Sequence, residues 1–199
     1  MEKRIILIAA IIFMQAAFVA ADGGMHYIRA GATGTGTDWA NALPAVPSSL
    51  VRGDTYYIAG GTYPSYAFDD PESGNQYIVI KKATQADHGT DTGWDSEYGS
   101  GQAIFYSPEN LYWQIAFKTG YYIFDGSGTH MNPSKNPDDY GFKIYSNTTT
   151  NWSGIVAIAA SNITIRYTHI YNTTNGSVNN GTVSVRFGSK YVENVKLQN

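Results

Sequence analysis

Gly154-Ile-Val-Ala-Ile158 lines up with Gly181-Thr-Val-Ser-Val185, Ile163-Thr-Ile-Arg166 with Lys190-Tyr-Val-Glu193, and Ile170-Tyr-Asn172 with Leu197-Gln-Asn199, each pair 27 residues apart. Short alternating runs of β-branched residues, closed by Asn or Gly and recurring with a period in the twenties, are the sequence form of a parallel β-solenoid. In such a fold no coil buries its apolar face alone. Strand alternation directs Val156, Ile158, Ile163, Ile165, Thr168 and Ile170 inward. It stacks Val183, Val185, Val192, Val195 and Leu197 on most of them one coil later, about 4.8 Å away. Arg166 then falls above Glu193 as an exposed cross-strand ion pair. Asn147, Asn172 and Asn199 take equivalent bends, where stacked amides satisfy one another along the axis.

Towards the amino terminus the same strand-and-turn pattern continues less regularly. Arg52 to Tyr63 reads as a polar turn, a strand and a Gly-Gly bend, and strand-length apolar runs follow at Tyr77 to Ile80, Ala103 to Tyr106, Gln114 to Phe117 and Tyr121 to Phe124. Trp39 to Val51 is the best helical stretch, opened by Thr37-Asp38, but Pro44 and Pro47 restrict it to a turn or two. The long polar connections Gln85 to Gly101 and Ser127 to Asp139 read as excursions that leave the stacking of neighbouring coils intact.

Residues 1–21 have the form of a secretory signal: Glu2-Lys3-Arg4, then the apolar stretch Ile5 to Val19, then the small residues Ala20-Ala21 before Asp22. The apolar stretch is shorter than the roughly 20 residues a spanning helix needs, so no membrane span is expected after cleavage. There is no Cys, hence no disulfide framework, and stability must come from packing. From Asp22 to Tyr140 there are fourteen acids against six Lys and Arg, whereas from Gly141 onward five Lys and Arg face a single acid, Glu193. A mildly acidic, exported chain is a poor partner for nucleic acid.

Tyr27-Ile-Arg-Ala-Gly-Ala32, Thr37-Asp-Trp-Ala-Asn-Ala42 and Gly53-Asp-Thr-Tyr-Tyr-Ile-Ala-Gly-Gly-Thr-Tyr63 resemble the amino-terminal part of secreted right-handed parallel β-helix proteins of the pectate-lyase-like superfamily. Lys82-Ala-Thr84 and Asp87-His-Gly-Thr-Asp-Thr-Gly-Trp94 are similar to a segment of bacterial members of unassigned activity. The resemblance implies an all-β, right-handed parallel β-helix over residues 22–199. It covers lyases, hydrolases, tailspikes, adhesins and surface proteins alike, so it implies a fold rather than an activity. The chain stops at Asn199 on a strand and bend with no capping element, and reads as the cap and first coils of a longer solenoid.

A lyase on this scaffold must neutralise a uronate and place a base beside its acidic proton. Outward-facing Arg166, His169, Arg186, Lys190 and Lys196 are the candidates for such a basic groove, against the plainer reading of surface cations on a solenoid flank. A hydrolase needs two facing acids, and Asp138-Asp139 is the only pair near the coils, in what reads as a solvated turn. Asp87, Asp91, Asp95 and Glu97 crowd one Gly-rich loop with hard oxygen donors, so a structural Ca²⁺ is the cofactor they would suit, although their spacing is not that of an EF-hand. His88 reads as a loop or turn residue rather than a ligand. Asn-X-Ser/Thr triplets begin at Asn147, Asn151, Asn162, Asn172, Asn175 and Asn180, either as glycan acceptors or as ordinary solenoid turns. Tyr56-Tyr57, Tyr121-Tyr122, Trp94 and Trp113 are candidates for stacking on sugar rings.

Two functional readings follow. The first is a secreted or cell-surface β-helix protein that engages extracellular polysaccharide or serves as a structural or adhesive stalk, with no evident catalytic site in this segment. The second is a polysaccharide lyase or glycoside hydrolase whose active groove lies mostly beyond Asn199.

Overall fold

The structure is a computed structural model and describes residues 23–106, 108, 113–127, 136–146, 156–172, 185–187 and 193–198. The signal segment, Asn147, Asn151, Asn175, Asn180, Val183, Lys190, Val192 and Asn199 lie outside the described residues. Fourteen strands are found among the described residues: β1 Met25–Ile28, β2 Thr55–Ile58, β3 Gly61–Tyr63, β4 Tyr66–Phe68, β5 Ile78–Lys82, β6 Ala103–Phe105, β7 Ile115–Phe117, β8 Tyr122–Asp125, β9 Phe142–Ser146, β10 Val156–Ile158, β11 Ile163–Arg166, β12 Thr168–Asn172, β13 Val185–Phe187 and β14 Val195–Gln198. One helical turn, α1 Ser96–Gly99, and a 3₁₀ turn at Pro137–Asp139 complete the described elements. The protein is all-β.

Every strand pairing is parallel, in three sheets: β1-β2-β5-β8-β11-β14, β3-β6-β9-β12 and β4-β7-β10-β13. From β2 onward the chain visits them in the same cyclic order. Strands are short because each sheet keeps only three to five residues of every pass. The strand expectations at Arg52 to Tyr63, Tyr77, Ala103, Gln114 and Tyr121 correspond to β2 with β3, then β5, β6, β7 and β8. Trp39 to Val51 forms turns and not a helix, with Asp38 accepting the amide of Asn41 (2.8 Å) and Leu43 bridged to Ile28.

All three sheets contribute to one core. Phe68, Phe105, Phe117, Phe124 and Phe142 are fully buried, with Phe68 stacked on Phe117 (4.8 Å between ring centres) and Phe124 on Phe142 (4.2 Å). Removing one such ring typically costs about 3–5 kcal/mol, since the cavity adds to the lost transfer energy. A second, smaller cluster of Tyr27, Trp39, Tyr57, Ala59 and Ala83, with Trp94 and Tyr98 against it, covers the outer face of the first sheet. The excursion Gln85 to Gly101 is thus a packed layer, as expected of an insertion between strands.

The expected faces are correct and the expected register is not. Val156, Ile158, Ile163 and Ile165 are buried, and Ile170 and Val195 pack against the core. However, Val156 pairs with Val185 rather than Val183, Ile163 with Val195 rather than Lys190, and Ile165 with Leu197 rather than Val192. For Val156 the slip is two residues, which preserves the alternation, so the pattern by itself cannot fix the partner. For Ile163 and Ile165 it is five residues, because the connection ahead of β14 is longer than a constant period of 27 allows. Leu197, expected to point inward, is 53% exposed on an edge strand. No constant period exists: Thr55 pairs with Val79, Ile78 with Tyr122, Tyr122 with Ile163 and Ile163 with Val195, so successive passes take 24, 44, 41 and 32 residues. Arg166 pairs with Gln198, not Glu193, and its guanidinium reaches back to Asp125 on β8 (2.7 Å).

Of the expected amide bends, Asn147 and Asn199 lie outside the described residues and Asn172 is level with Ser146. A single amide pair is found at another bend, where Asn194 donates its side-chain amide to Asn162 Oδ1 (2.7 Å) just ahead of β14 and β11. Tyr121, Asn162 and Asn194 share a left-handed backbone (φ 62°, 59° and 52°), which carries the chain into the first sheet. Asn tolerates that conformation better than other non-glycine residues.

Lys82 is the one ammonium in the sheets that is almost fully buried among the described residues (1% exposed). It donates to the carbonyls of Ala83 (2.6 Å), Tyr98 (3.2 Å) and Gly99 (3.3 Å), tying the covering layer to the end of β5. Burial pulls its pKa down to about 8. Because the unfolded chain holds this proton to higher pH than the folded one, stability rises as pH increases above 8. Tyr57, Tyr63 and Tyr122, pushed up to about 12 by burial, act in the opposite sense above pH 10. Urea unfolding should therefore show stability increasing from pH 8 to about 9.5, and Lys82→Met should flatten that increase. Asn162→Ala should cost about 1–2 kcal/mol in the same assay through the lost amide bond and the strained backbone, with Asn162→Gly milder.

Candidate functional site

Alternation on β9 and β12 buries Phe142, Ile144 and Ser146 and turns Lys143 and Tyr145 outward, with His169 and Tyr171 beside them in register. Tyr106 follows β6 on the same face. The three tyrosines form a column across the strands, with ring centres 4.9 Å apart for Tyr106 and Tyr145 and 6.0 Å for Tyr145 and Tyr171, the latter pair stacked nearly parallel at 19°. Tyr106 and Tyr145 are half-buried, and Tyr171 is the open end of the column at 42% exposed.

Charged groups flank the column. Lys143 Nζ lies 5.1 Å from the centre of the Tyr171 ring, and the His169 ring is 5.3 Å from it. Asp138, in the 3₁₀ turn, places Oδ1 4.0 Å from Lys143 Nζ and 3.8 Å from His169 Nδ1. His169 Nδ1 is buried without a hydrogen-bond partner. Burial first, and then the Lys143 charge, lower the His169 pKa against the opposing pull of Asp138. The imidazole is therefore neutral at physiological pH, an acceptor beside a cation.

The strands that carry the described basic candidates belong to three different sheets. Arg166 lies in the first sheet, His169 in the second and Arg186 in the third, where it pairs with Ala157. Lys196 is in the first sheet level with Thr164. Arg166 is engaged by Asp125, whose carboxylate is 2% exposed. Burial alone would raise the Asp125 pKa, but hydrogen bonds from Arg166 and Ser127 outweigh it and hold it below the usual carboxylate range.

In the acidic loop, Asp87 is held by Lys81, Asp91 accepts from His88 Nε2 (2.7 Å), and Asp95 caps α1 through the amide of Glu97 (2.9 Å). Among the described residues no three His, Asp or Glu side chains gather to hold a metal ion. Of the expected aromatic candidates, Tyr56 and Tyr122 are core residues, Tyr57 is roofed by the covering layer, Tyr121 packs on Tyr77, Trp94 stacks on His88 (4.1 Å), and Trp113 lies under Lys118. Among the described residues no helix is long and apolar enough to cross a membrane.

Tyr106, Tyr145, Tyr171 and Lys143 are not among the site candidates that the sequence motifs single out. The signal for them is the pair Phe142-Lys-Ile-Tyr-Ser146 and Thr168-His-Ile-Tyr-Asn172, a basic-Ile-Tyr triplet that recurs 26 residues on and predicts this register directly.

The arrangement has a measurable electrostatic signature. Lys143→Gln should raise the His169 pKa by removing a neighbouring cation, and Asp138→Asn should lower it further, as followed by imidazole proton shifts in an NMR titration. No family model, curated protein or solved structure matches this chain.

Proposed function

We propose that this chain is a secreted or cell-surface right-handed parallel β-helix protein that engages polysaccharide through the outer face of β6, β9 and β12. Support for the helical winding comes from the cyclic order in which the chain visits three parallel sheets and from the single core they share. The functional reading is carried by the tyrosine column with Lys143 and His169 at its side, presented by short strands of a rigid sheet. The exposed Tyr171 supplies an apolar ring for the C–H face of a sugar, held in place by Tyr145 behind it, at little entropic cost because only two side-chain torsions must be fixed. A column that crosses strands repeats at the strand spacing, about 4.8 Å, which matches an extended ligand better than a compact one.

A second reading, an enzyme acting on the same polymer, is favoured by one observation: His169, half-buried, stands beside Lys143 with its Nδ1 lacking a hydrogen-bond partner among the described residues, which leaves Nε2 as the nitrogen that could act as a base. A base and a cation side by side are what proton abstraction next to a carboxylate requires.

Both readings are tested on the full-length protein with a panel of neutral and uronic-acid polysaccharides. Affinity electrophoresis should reveal retardation by at least one polymer, and the double variant Tyr145→Ala/Tyr171→Ala should weaken it by about three- to tenfold for each ring lost. Retardation that the double variant leaves unchanged, or none with any polymer, would remove the tyrosine face from the account. Unsaturated products or new reducing ends, lost in His169→Ala, would replace the binding protein with the enzyme.

A further inference from the structure

On the outer side of the first sheet, away from the tyrosine column, Met25, Tyr57 and the loop 86–91 enclose an open pocket of about 370 Å³. We propose that this pocket is a binding site for a single neutral sugar residue, a glycan end or branch, independent of the tyrosine column. Its volume suits one pyranose ring with a few waters and not a length of polymer.

The apolar part of the wall is Met25, half-exposed, whose sulfur accepts from the Tyr27 hydroxyl (3.7 Å) and forms a polarizable lip, backed by Tyr57, which is 7% exposed and stacked on the buried Tyr27 (5.8 Å, 9°). Met25 supplies the apolar contact for a sugar ring. The rim supplies acceptors: Asp87, oriented by Lys81 and by the Tyr57 hydroxyl, and Asp91, whose side chain is almost wholly exposed while His88 Nε2 holds one of its oxygens at 2.7 Å. A carboxylate can accept from two hydroxyls at once, and the strongest hydrogen bonds are those with a charged partner.

The loop is fixed before any ligand arrives. Thr84 and Asp87 exchange backbone hydrogen bonds (2.9 and 3.2 Å), the indole of Trp39 donates to His88 O (2.9 Å), and the His88 ring lies flat on Trp94. Gly89 (φ +76°) runs so close to the wall that a Cβ there would meet the Tyr27 hydroxyl at 2.7 Å and the Tyr57 ring at 2.9 Å. A preformed pocket saves the ordering cost that weakens small-ligand binding. Its charge also selects. Lys81 offsets the charge of Asp87 and the exposed Asp91 leaves the rim net negative, which disfavours an anionic sugar against a neutral, hydroxyl-rich one.

The test is saturation-transfer NMR on the full chain with methyl glycosides of glucose, galactose, mannose and xylose, and with methyl glucuronide as the charged counterpart. At least one neutral glycoside should receive saturation and the glucuronide none. Asp91→Ala and Asp91→Asn, both at a solvent-exposed side chain and checked for folding by circular dichroism, should weaken binding about tenfold, and Tyr145→Ala/Tyr171→Ala should leave it intact. The proposal is overturned by the absence of transfer to every neutral glycoside, by equal binding of the glucuronide, by binding that survives both Asp91 variants, or by binding that the tyrosine variants abolish. Because the tyrosine variants separate the two faces, failure here leaves the polysaccharide reading standing, and failure there leaves this one.

Discussion

Parallel backbone pairing between successive passes of the chain is the constraint on which everything else depends. Each strand is only three to five residues long and could not persist alone, but stacking places its inward side chains against those of the pass before and after. The buried phenylalanines at 68, 105, 117, 124 and 142 come from all three sheets and meet because the pairing puts their strands around one core. With no Cys in the sequence, no covalent tie substitutes for that pairing.

The same constraint explains how long insertions are absorbed. A loop that leaves one sheet and returns to the next is free in length so long as its two ends keep their register, and closing a longer loop adds little entropic cost. Residues Gln85 to Gly101 use this freedom to build a second apolar layer over the first sheet, around Trp39, Trp94 and Tyr98. Arg52 serves the opposite flank, with its guanidinium donating to the carbonyls of Asp70, Pro71, Gly120 and Tyr121 and lying over the Tyr122 ring. Lys82 does the same for the covering layer. Both cations bind carbonyls at strand ends and in loops, two of which, Tyr121 and Tyr98, also accept a backbone N–H, from Ile78 and Gly60.

Outward positions on such a scaffold acquire neighbours from other passes, and two faces result. On the second sheet, Tyr106, Tyr145 and Tyr171 form a column with Lys143 and His169 at its side and Asp138 near both. On the first sheet, the covering layer closes most of the face and leaves a small pocket rimmed by carboxylates.

The sequence by itself determined the all-β class, most of the strand positions and the inward set Val156, Ile158, Ile163 and Ile165, because these follow from local alternation and turn residues. Tertiary structure decided most of the rest, above all which strands lie side by side. Alternation repeats every two residues, so Val183 and Val185 are equivalent candidates to stand beside Val156, and loops of unequal length move the partner of Ile163 from Lys190 to Val195. Arg166 consequently meets Asp125 in place of Glu193, and an amide pair forms at Asn162 and Asn194. For the tyrosine column the recurring basic-Ile-Tyr triplet carries the β9–β12 register, and only backbone hydrogen bonds between separate passes bring Tyr106 to it.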